Sequence, residues 1–448
     1  MSAGFLWLAV STGLLSVLTP CVFPMVPITI AYFSEPGERK PALRKAFLFA
    51  LGIIGTFTAL GLALAAIFGA AGLNRFAADW RVNLALALVF LLFAANLFGW
   101  VELRLPSRLV NTADRAVRGA AGQSTAGPLL MGATFTLTSL TCTAPFVGTL
   151  LVLASQGSWR TPLLGMLVYS TAFAMPFFFL ALAPRLLSRL PRAGEWMRTL
   201  RVMIGILEVG AAIKFISNTD MVLQWGVFTR EVVLLSWSTL AFAAVVYLAR
   251  DVIPAMRAGR WKQPRLIPIA GALMVTVWLA SGANGRPLKS VEAFLPPAGV
   301  PSEVPGEVAS ASAAAPVWML NDYPGALAQA RASGKFVLVD FTGYTCTNCR
   351  WMEVNIFSRP DVEAELGQFV LSRLYTDGDG AMYERQQAFQ EKTFGTVALP
   401  LYAVVDSDGK VRATFSGLTR NATEFIAFLQ RAREPRVAAK GGADKLMN

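Results

Sequence analysis

The sequence predicts two architectures in one chain: an all-α membrane bundle of about eight transmembrane helices, then a soluble α/β domain. Three observations lead there. The first 283 residues carry repeated apolar stretches, a Pro-, Ala- and Gly-rich stretch follows, and from residue 318 short apolar strands alternate with polar-faced helices. The chain has 448 residues, 54% of them hydrophobic and only 15% charged, which is too apolar for one soluble domain. It has no histidine, which excludes Ser-His-Asp and Cys-His catalysis and any His-ligated metal or haem.

Apolar spans can be read at 4–33, 46–70, 82–100, 128–154, 162–183, 202–217, 231–249 and 266–283. Most reach the ~20 residues needed to cross a bilayer. The first lacks a basic leader and is interrupted by Pro20 and Cys21, so it is not expected to be a cleaved signal peptide. The loops between spans alternate in charge. The first, third, fifth and seventh carry 18 Lys/Arg together, and the second, fourth and sixth carry 4. The positive-inside rule then puts the basic loops in the cytoplasm and both termini on the outer side. The net charge of +12 is therefore read as a topology signal. Nucleic-acid binding is not expected, because no basic patch interleaved with aromatics accompanies that charge.

Residues 284–317 are expected to be a linker, a coil reaching about 30 Å or more because its prolines stiffen it. Within 318–434, apolar and polar periodicity predicts a helix at 322–333, strands at 335–341 and 369–375, and a helix at 381–394. A hairpin follows at 401–406 and 410–415 around "DSDG", then a last helix at 421–433 and a tail at 435–448.

There are four cysteines: Cys21, Cys142, Cys346 and Cys349. The stretch "VDFTGYTCTNCRWME" places Cys346 and Cys349 as a C-x-x-C after a buried strand, at the start of a helix. That placement has redox chemistry built in. Unpaired N–H groups and the helix dipole favour the thiolate of the first cysteine. The second lies within reach of the first sulfur. Half of a zinc site is the competing reading, but it needs two further ligands, and only Cys21 and Cys142 remain.

Cys21 and Cys142 are each alone in sequence, and a lone membrane cysteine is commonly just a small apolar residue. Their surroundings argue otherwise. "LTPCVFP" and "SLTCTAP" share Leu-Thr, then Cys, then Pro three residues on, at matching places in spans one and four. Three crossings separate them, so the two units would form an inverted repeat with Pro-broken helices meeting near the midplane. Pro20, Pro24, Pro27 and Pro145 break the helices, and broken backbone at that depth is tolerated where it lines a cavity. The break would let Cys21 meet Cys142 and let foreign thiols approach. In span six, Glu208 and Lys214 are costly in lipid, and Glu208 is a candidate gating residue.

On these residues residues 318–434 resemble a thioredoxin-fold domain, and the membrane region resembles the DsbD transmembrane domain of the wider CcdA type. The resemblance implies that Asp340, six residues before Cys346, is the buried acid that handles the proton of the resolving thiol. It implies that Glu353, seven residues after Cys346, is a second acid, and that the two carboxylates raise the thiol pKa. It implies that Pro400 in "VALPLY" is cis and forms the substrate-facing loop with Leu399 and Tyr344. The family has a further periplasmic domain with its own cysteine pair before the first span. Here the chain begins with a span, so a separate final acceptor is expected.

The implied activity is that of a disulfide reductase in the bacterial inner membrane, with no cofactor beyond its disulfides. Cytoplasmic thioredoxin would reduce Cys21–Cys142, that dithiol would reduce Cys346–Cys349, and periplasmic disulfide proteins would be the acceptors. Cytochrome c maturation thioredoxins or a disulfide isomerase are examples. A transporter with a thioredoxin-like sensor domain, or a thiol oxidase passing electrons to quinone, are the rival readings.

Overall fold

The computed structural model describes residues 3–17, 22, 39–101, 127–137, 139, 160–182, 195–257, 266–297, 308–309 and 317–434. The chain divides into two units, Met1–Arg286 and Pro287–Asn448.

In the first unit the described helices are α1 (Ala3–Ser16), α2 (Arg39–Ala78), α3 (Trp80–Phe98), α4 (Gly127–Leu137), α5 (Arg160–Leu182), α6 (Glu195–Leu223), α7 (Arg230–Arg257) and α8 (Leu266–Ala283). They fall at the eight apolar stretches of the sequence. Among the described residues four helices are long and apolar enough to cross a membrane: Leu43–Ala63, Trp80–Phe98, Arg230–Arg250 and Leu266–Ala283. Large apolar side chains stand outward on them, Ile267 at 73% and Met274 at 70% exposure. Such surface suits lipid rather than water.

Helices in lipid gain little from apolar contact alone, so they associate where backbones approach closely. The α2–α4 crossing shows this. A methyl group on Gly52 would lie 2.5 Å from the Leu129 carbonyl oxygen, and one on Gly132 would lie 2.5 Å from that of Phe49. Around it Phe49, Phe57, Phe135, Tyr169, Phe173 and Phe177 pack edge to face and tilted, and Tyr169 donates its hydroxyl to Ser16 Oγ at 2.9 Å. Separately, α6 lies along α3: Phe215 stacks on Phe90, and Asn218 Nδ2 donates to Asn83 Oδ1 at 3.2 Å. Trp237 of α7 donates its indole N–H to the Gly210 carbonyl at 3.0 Å. The buried Arg230 guanidinium ties the end of α8, donating to the carbonyls of Gly282 and Arg286.

The second unit opens inside the stretch read as linker. Lys289–Phe294 forms a 3-10 turn that packs against the helix carrying Cys349. Leu288, Ala293 and Leu295 are buried there, and Leu288 N donates to Glu292 Oε2. The part of the linker nearest the last membrane helix is thus ordered on the soluble unit. Its Pro- and Ala-rich composition masked three apolar anchors.

The sheet holds β1 (Val308–Ala309), β2 (Trp318–Leu320), β3 (Val337–Thr342), β4 (Val370–Tyr375), β5 (Leu401–Val405) and β6 (Val411–Ser416) in the order β1-β2-β4-β3-β5-β6. Strands β2, β4 and β3 run parallel, and β5 and β6 pair antiparallel beyond β3. Because strand side chains alternate, β3 divides into two faces. Val337, Val339 and Phe341 pack with Leu374 and Ala403 under α9 (Tyr323–Ser333) and α12 (Ala381–Phe394). Leu338, Asp340 and Thr342 face the other way. There α10 (Thr347–Met352) runs into a π turn (Glu353–Phe357), followed by α11 (Pro360–Leu366) and, after β6, α13 (Ala422–Arg433). Asn421 caps α13 by accepting from Thr423 N, and Phe425, Phe428, Leu429 and Ala432 recur at helical spacing on its buried stripe. The helices and strands expected at 322–333, 335–341, 369–375, 381–394 and beyond all form. The short elements β1, β2 and α11 were not anticipated.

Candidate active site

The apolar strand β3 delivers the chain to a turn, Gly343–Thr345, and Cys346 then caps α10. The two cysteines are joined as a disulfide, with Cα atoms 5.3 Å apart. Cys346 Sγ accepts from Cys349 N at 3.2 Å, so the helix N-terminus is aimed at the first sulfur. Cys346 is partly exposed, whereas Cys349 is 1% exposed. Cys346 is therefore the more accessible sulfur of the pair.

Beneath α10 lies a buried charge cluster. Register places Asp340 beside Arg373 on β4 and Tyr402 on β5. Arg373 Nε donates to Asp340 Oδ2 at 2.9 Å, and its Nη1 lies 3.4 Å from Glu353 Oε1. Glu353 also pairs with Arg350 on the redox helix itself. The Arg373 guanidinium sits over the Trp318 ring at 4.4 Å. Burial lifts the Asp340 carboxyl to about 6; Arg373 pulls it back, and Glu353 adds a smaller upward push. Asp340 Oδ1 and the Tyr402 hydroxyl are both buried without a hydrogen-bond partner among the described residues.

This geometry changes the expected electrostatics. The resemblance implied two acids acting on the thiol. Here those acids share one arginine and one of them holds a second, so two negative charges face two positive ones. Glu353 is held between guanidiniums rather than solvated. Arg373 was missed in the sequence, although an arginine at the centre of the apolar strand "VLSRLY" was a usable signal, since a lone buried charge needs a partner.

The Leu399–Pro400 peptide is cis. Pro400 is buried, its carbonyl accepts from Gly417 N at 2.8 Å, and Leu399 packs in part against the sheet core. Tyr344, expected on the substrate-facing loop, has its side chain turned into the core. It is 4% exposed, stacks on Tyr375 with ring centres 4.1 Å apart, and shares a 3.1 Å hydroxyl contact with Tyr383. A large planar ring gains more from burial between two tyrosines than from the surface.

In the membrane unit Cys21, Cys142, Pro20, Pro24, Pro27 and Pro145 lie outside the described residues. Glu208 is described. It is 1% exposed on α6, on the stripe with Gly205, Ala212 and Phe215 that meets α3, and neither carboxyl oxygen has a hydrogen-bond partner among the described residues. Nor do three or more potential metal ligands gather anywhere among those residues.

Comparison with known proteins adds to this geometry. Residues 3–219 match the family described as the cytochrome C biogenesis protein transmembrane domain, and residues 318–407 match a thioredoxin-like family. The chain is similar to the thiol:disulfide interchange protein DsbD of Vibrio cholerae, 29% identical over 82% of this chain and 57% of that protein. It is similar to the protein of that name from Ralstonia nicotianae, 28% identical over 94% and 67%, and from Salmonella typhi, 29% identical over 90% and 66%. The chain thus spans 57 to 67% of the length of these relatives.

Proposed function

We propose, from a chain that joins a transmembrane domain of the DsbD type to a thioredoxin-like domain, that it carries reducing equivalents across the bacterial inner membrane by thiol–disulfide exchange. The observation that carries this reading is the Cys346–Cys349 disulfide, capping a helix in the same chain as that transmembrane domain. The donor is cytoplasmic thioredoxin, which reduces a Cys21–Cys142 disulfide. The resulting dithiol reduces Cys346–Cys349, and the soluble domain then reduces periplasmic disulfide proteins.

Each step conserves atoms and electrons. The Cys346 thiolate attacks a substrate disulfide and releases one substrate thiol. Cys349, giving its proton to Asp340, attacks Cys346 Sγ and releases the second. Two electrons leave the dithiol, and no metal or prosthetic group is needed. Both termini lie on the periplasmic side in this reading, as the loop charges favour.

The test is reconstitution. Full-length protein in sealed vesicles, with thioredoxin and its reducing system on one side only, should reduce a disulfide protein enclosed on the other. Loss of that transfer in Cys21→Ser or Cys142→Ser supports the relay. Transfer that survives both substitutions rules the relay out. An export-dependent reporter fused after Asn448 should be active, and a reporter that works only in the cytoplasm would reverse the topology.

A further inference from the structure

The two residues before the attacking cysteine are held by a side chain outside the motif. Asp377 follows β4 by two residues. Its Oδ1 accepts from Tyr344 N at 2.7 Å, and its Oδ2 accepts from Thr345 N at 3.0 Å and from Thr345 Oγ1 at 2.8 Å. Both carboxylate oxygens are thus spent on the turn that presents Cys346, which Cys346 N closes by donating to the Gly343 carbonyl at 3.2 Å. The site is shaped for that carboxylate. A methyl group on Gly343 would lie 2.6 Å from Asp377 Oδ2, so only glycine admits it there. On the other side of the turn, Tyr344 is clamped between Tyr375 and Tyr383.

We propose that Asp377 is a positioning residue for thiol–disulfide exchange: by fixing the Tyr344–Thr345 backbone it holds Cys346 Sγ at the N-terminus of α10, within closing distance of Cys349. This deepens the exchange reading of the soluble domain and rests on it. The physical argument is one of entropy. A disulfide restrains Cys346 by itself, whereas the dithiol relies on the turn. Loosening the turn therefore frees the reduced form more than the oxidised form, and ring closure becomes less favourable. An amide cannot replace the carboxylate, because its NH₂ would face one of three donors.

The experiment uses the full chain in detergent with Cys21→Ser and Cys142→Ser, so that only the C-x-x-C titrates. The equilibrium constant for oxidation by glutathione is measured for this protein and for Asp377→Asn, Asp377→Ala and Thr345→Val. Both Asp377 substitutions should lower that constant about tenfold, as expected for lost preorganisation. Thr345→Val, which removes one of three bonds, should lower it by roughly two- to threefold. A folded Asp377 variant with an unchanged constant and only a lower melting temperature overturns the proposal. If neither Asp377 variant folds, an unchanged constant in Thr345→Val overturns it. Failure of the parent protein to equilibrate with glutathione would instead remove the exchange reading itself.

Discussion

The two units differ in how they satisfy their buried polar groups: long-range ion pairs stand out in the soluble unit, and hydrogen bonds within a helix stand out in the membrane unit. In the soluble unit Arg373 reaches across strands to Asp340 and on to Glu353, so each buried charge depends on a residue far away in sequence. In the membrane unit many hydroxyls turn back on their own helices, Ser16 Oγ to the Thr12 carbonyl, Thr136 Oγ1 to Gly132, Ser170 Oγ to Met166 and Thr276 Oγ1 to Ala272, and a few, such as Tyr169 to Ser16 and Ser238 to Thr276, also reach a neighbouring helix. A helix in lipid must satisfy its polar groups before it meets a neighbour, because no water is available meanwhile. A soluble core forms in water and can leave pairing to the final packing. Fragile positions should therefore be long-range ion pairs in one unit and close glycine contacts in the other.

The largest effect concerns the chemistry the units share. Cys346→Ser should abolish disulfide reduction by the soluble domain, and Cys349→Ser should accumulate covalent complexes with substrates. Cys21→Ser and Cys142→Ser should stop delivery through the membrane while leaving exchange by pre-reduced Cys346–Cys349 intact. Gel analysis of alkylated mixed disulfides reads all four. Equal trapping by Cys346→Ser and Cys349→Ser would reverse the attacking and resolving roles.

Next in size is Arg373→Met. It leaves Asp340 and Glu353 without their shared partner in a buried site, a loss that typically costs ~3–5 kcal/mol. Urea unfolding followed by the fluorescence of Trp318, which lies under that guanidinium, should report it. A cost below ~1 kcal/mol would show that the soluble unit does not depend on this pair as the comparison holds.

In the membrane unit Gly132→Leu should cost about 1–3 kcal/mol by forcing α2 and α4 apart. Thr136→Val, one turn along the same helix, removes a hydrogen bond internal to that helix and should cost less than ~1 kcal/mol. Thermal unfolding in detergent ranks the two. The reverse order would show that hydrogen bonds within a helix, rather than close glycine contacts, limit the stability of the membrane unit.

The same contrast explains what could be read from the sequence. The C-x-x-C, the strand before it and α12 were legible because local spacing encodes them. The capped helix α13 was legible for the same reason. Arg373 and Asp377 were not, because Asp340, Tyr344 and Thr345 lie 32 or 33 residues before them and are brought close only by the parallel β3–β4 pairing. Leu288, Ala293 and Leu295 were hidden by linker composition. The burial of Tyr344 was not legible because a tyrosine beside a redox motif reads equally as surface or core, and only Tyr375 and Tyr383 decide. Gly52 and Gly132 carry no local signal in their apolar spans, because the close approach that requires them exists only where α2 and α4 cross.

The most specific expected effect is a change in pH dependence. Asp340 is lifted to about 6, first by burial, so above that pH it is mainly ionised, and in the proposed mechanism it then takes the proton of Cys349. Below about 6 it already carries a proton, and the resolving step should slow as pH falls through that value. Asp340→Asn removes the base. A thiol of ordinary pKa near 8.5 is only about 10% ionised at pH 7.5, so a built-in base gains about tenfold there and little above pH 9. Stopped-flow release of substrate from a mixed disulfide with Cys346 should thus be about tenfold slower in Asp340→Asn at pH 7.5. The deficit should shrink steadily toward pH 9, and the wild-type inflection near 6 should be absent. A deficit that stayed constant across that range would mean the substitution acts by disturbing the ion pair with Arg373, not by removing a proton acceptor. Asp340 would then matter as one half of a long-range buried pair.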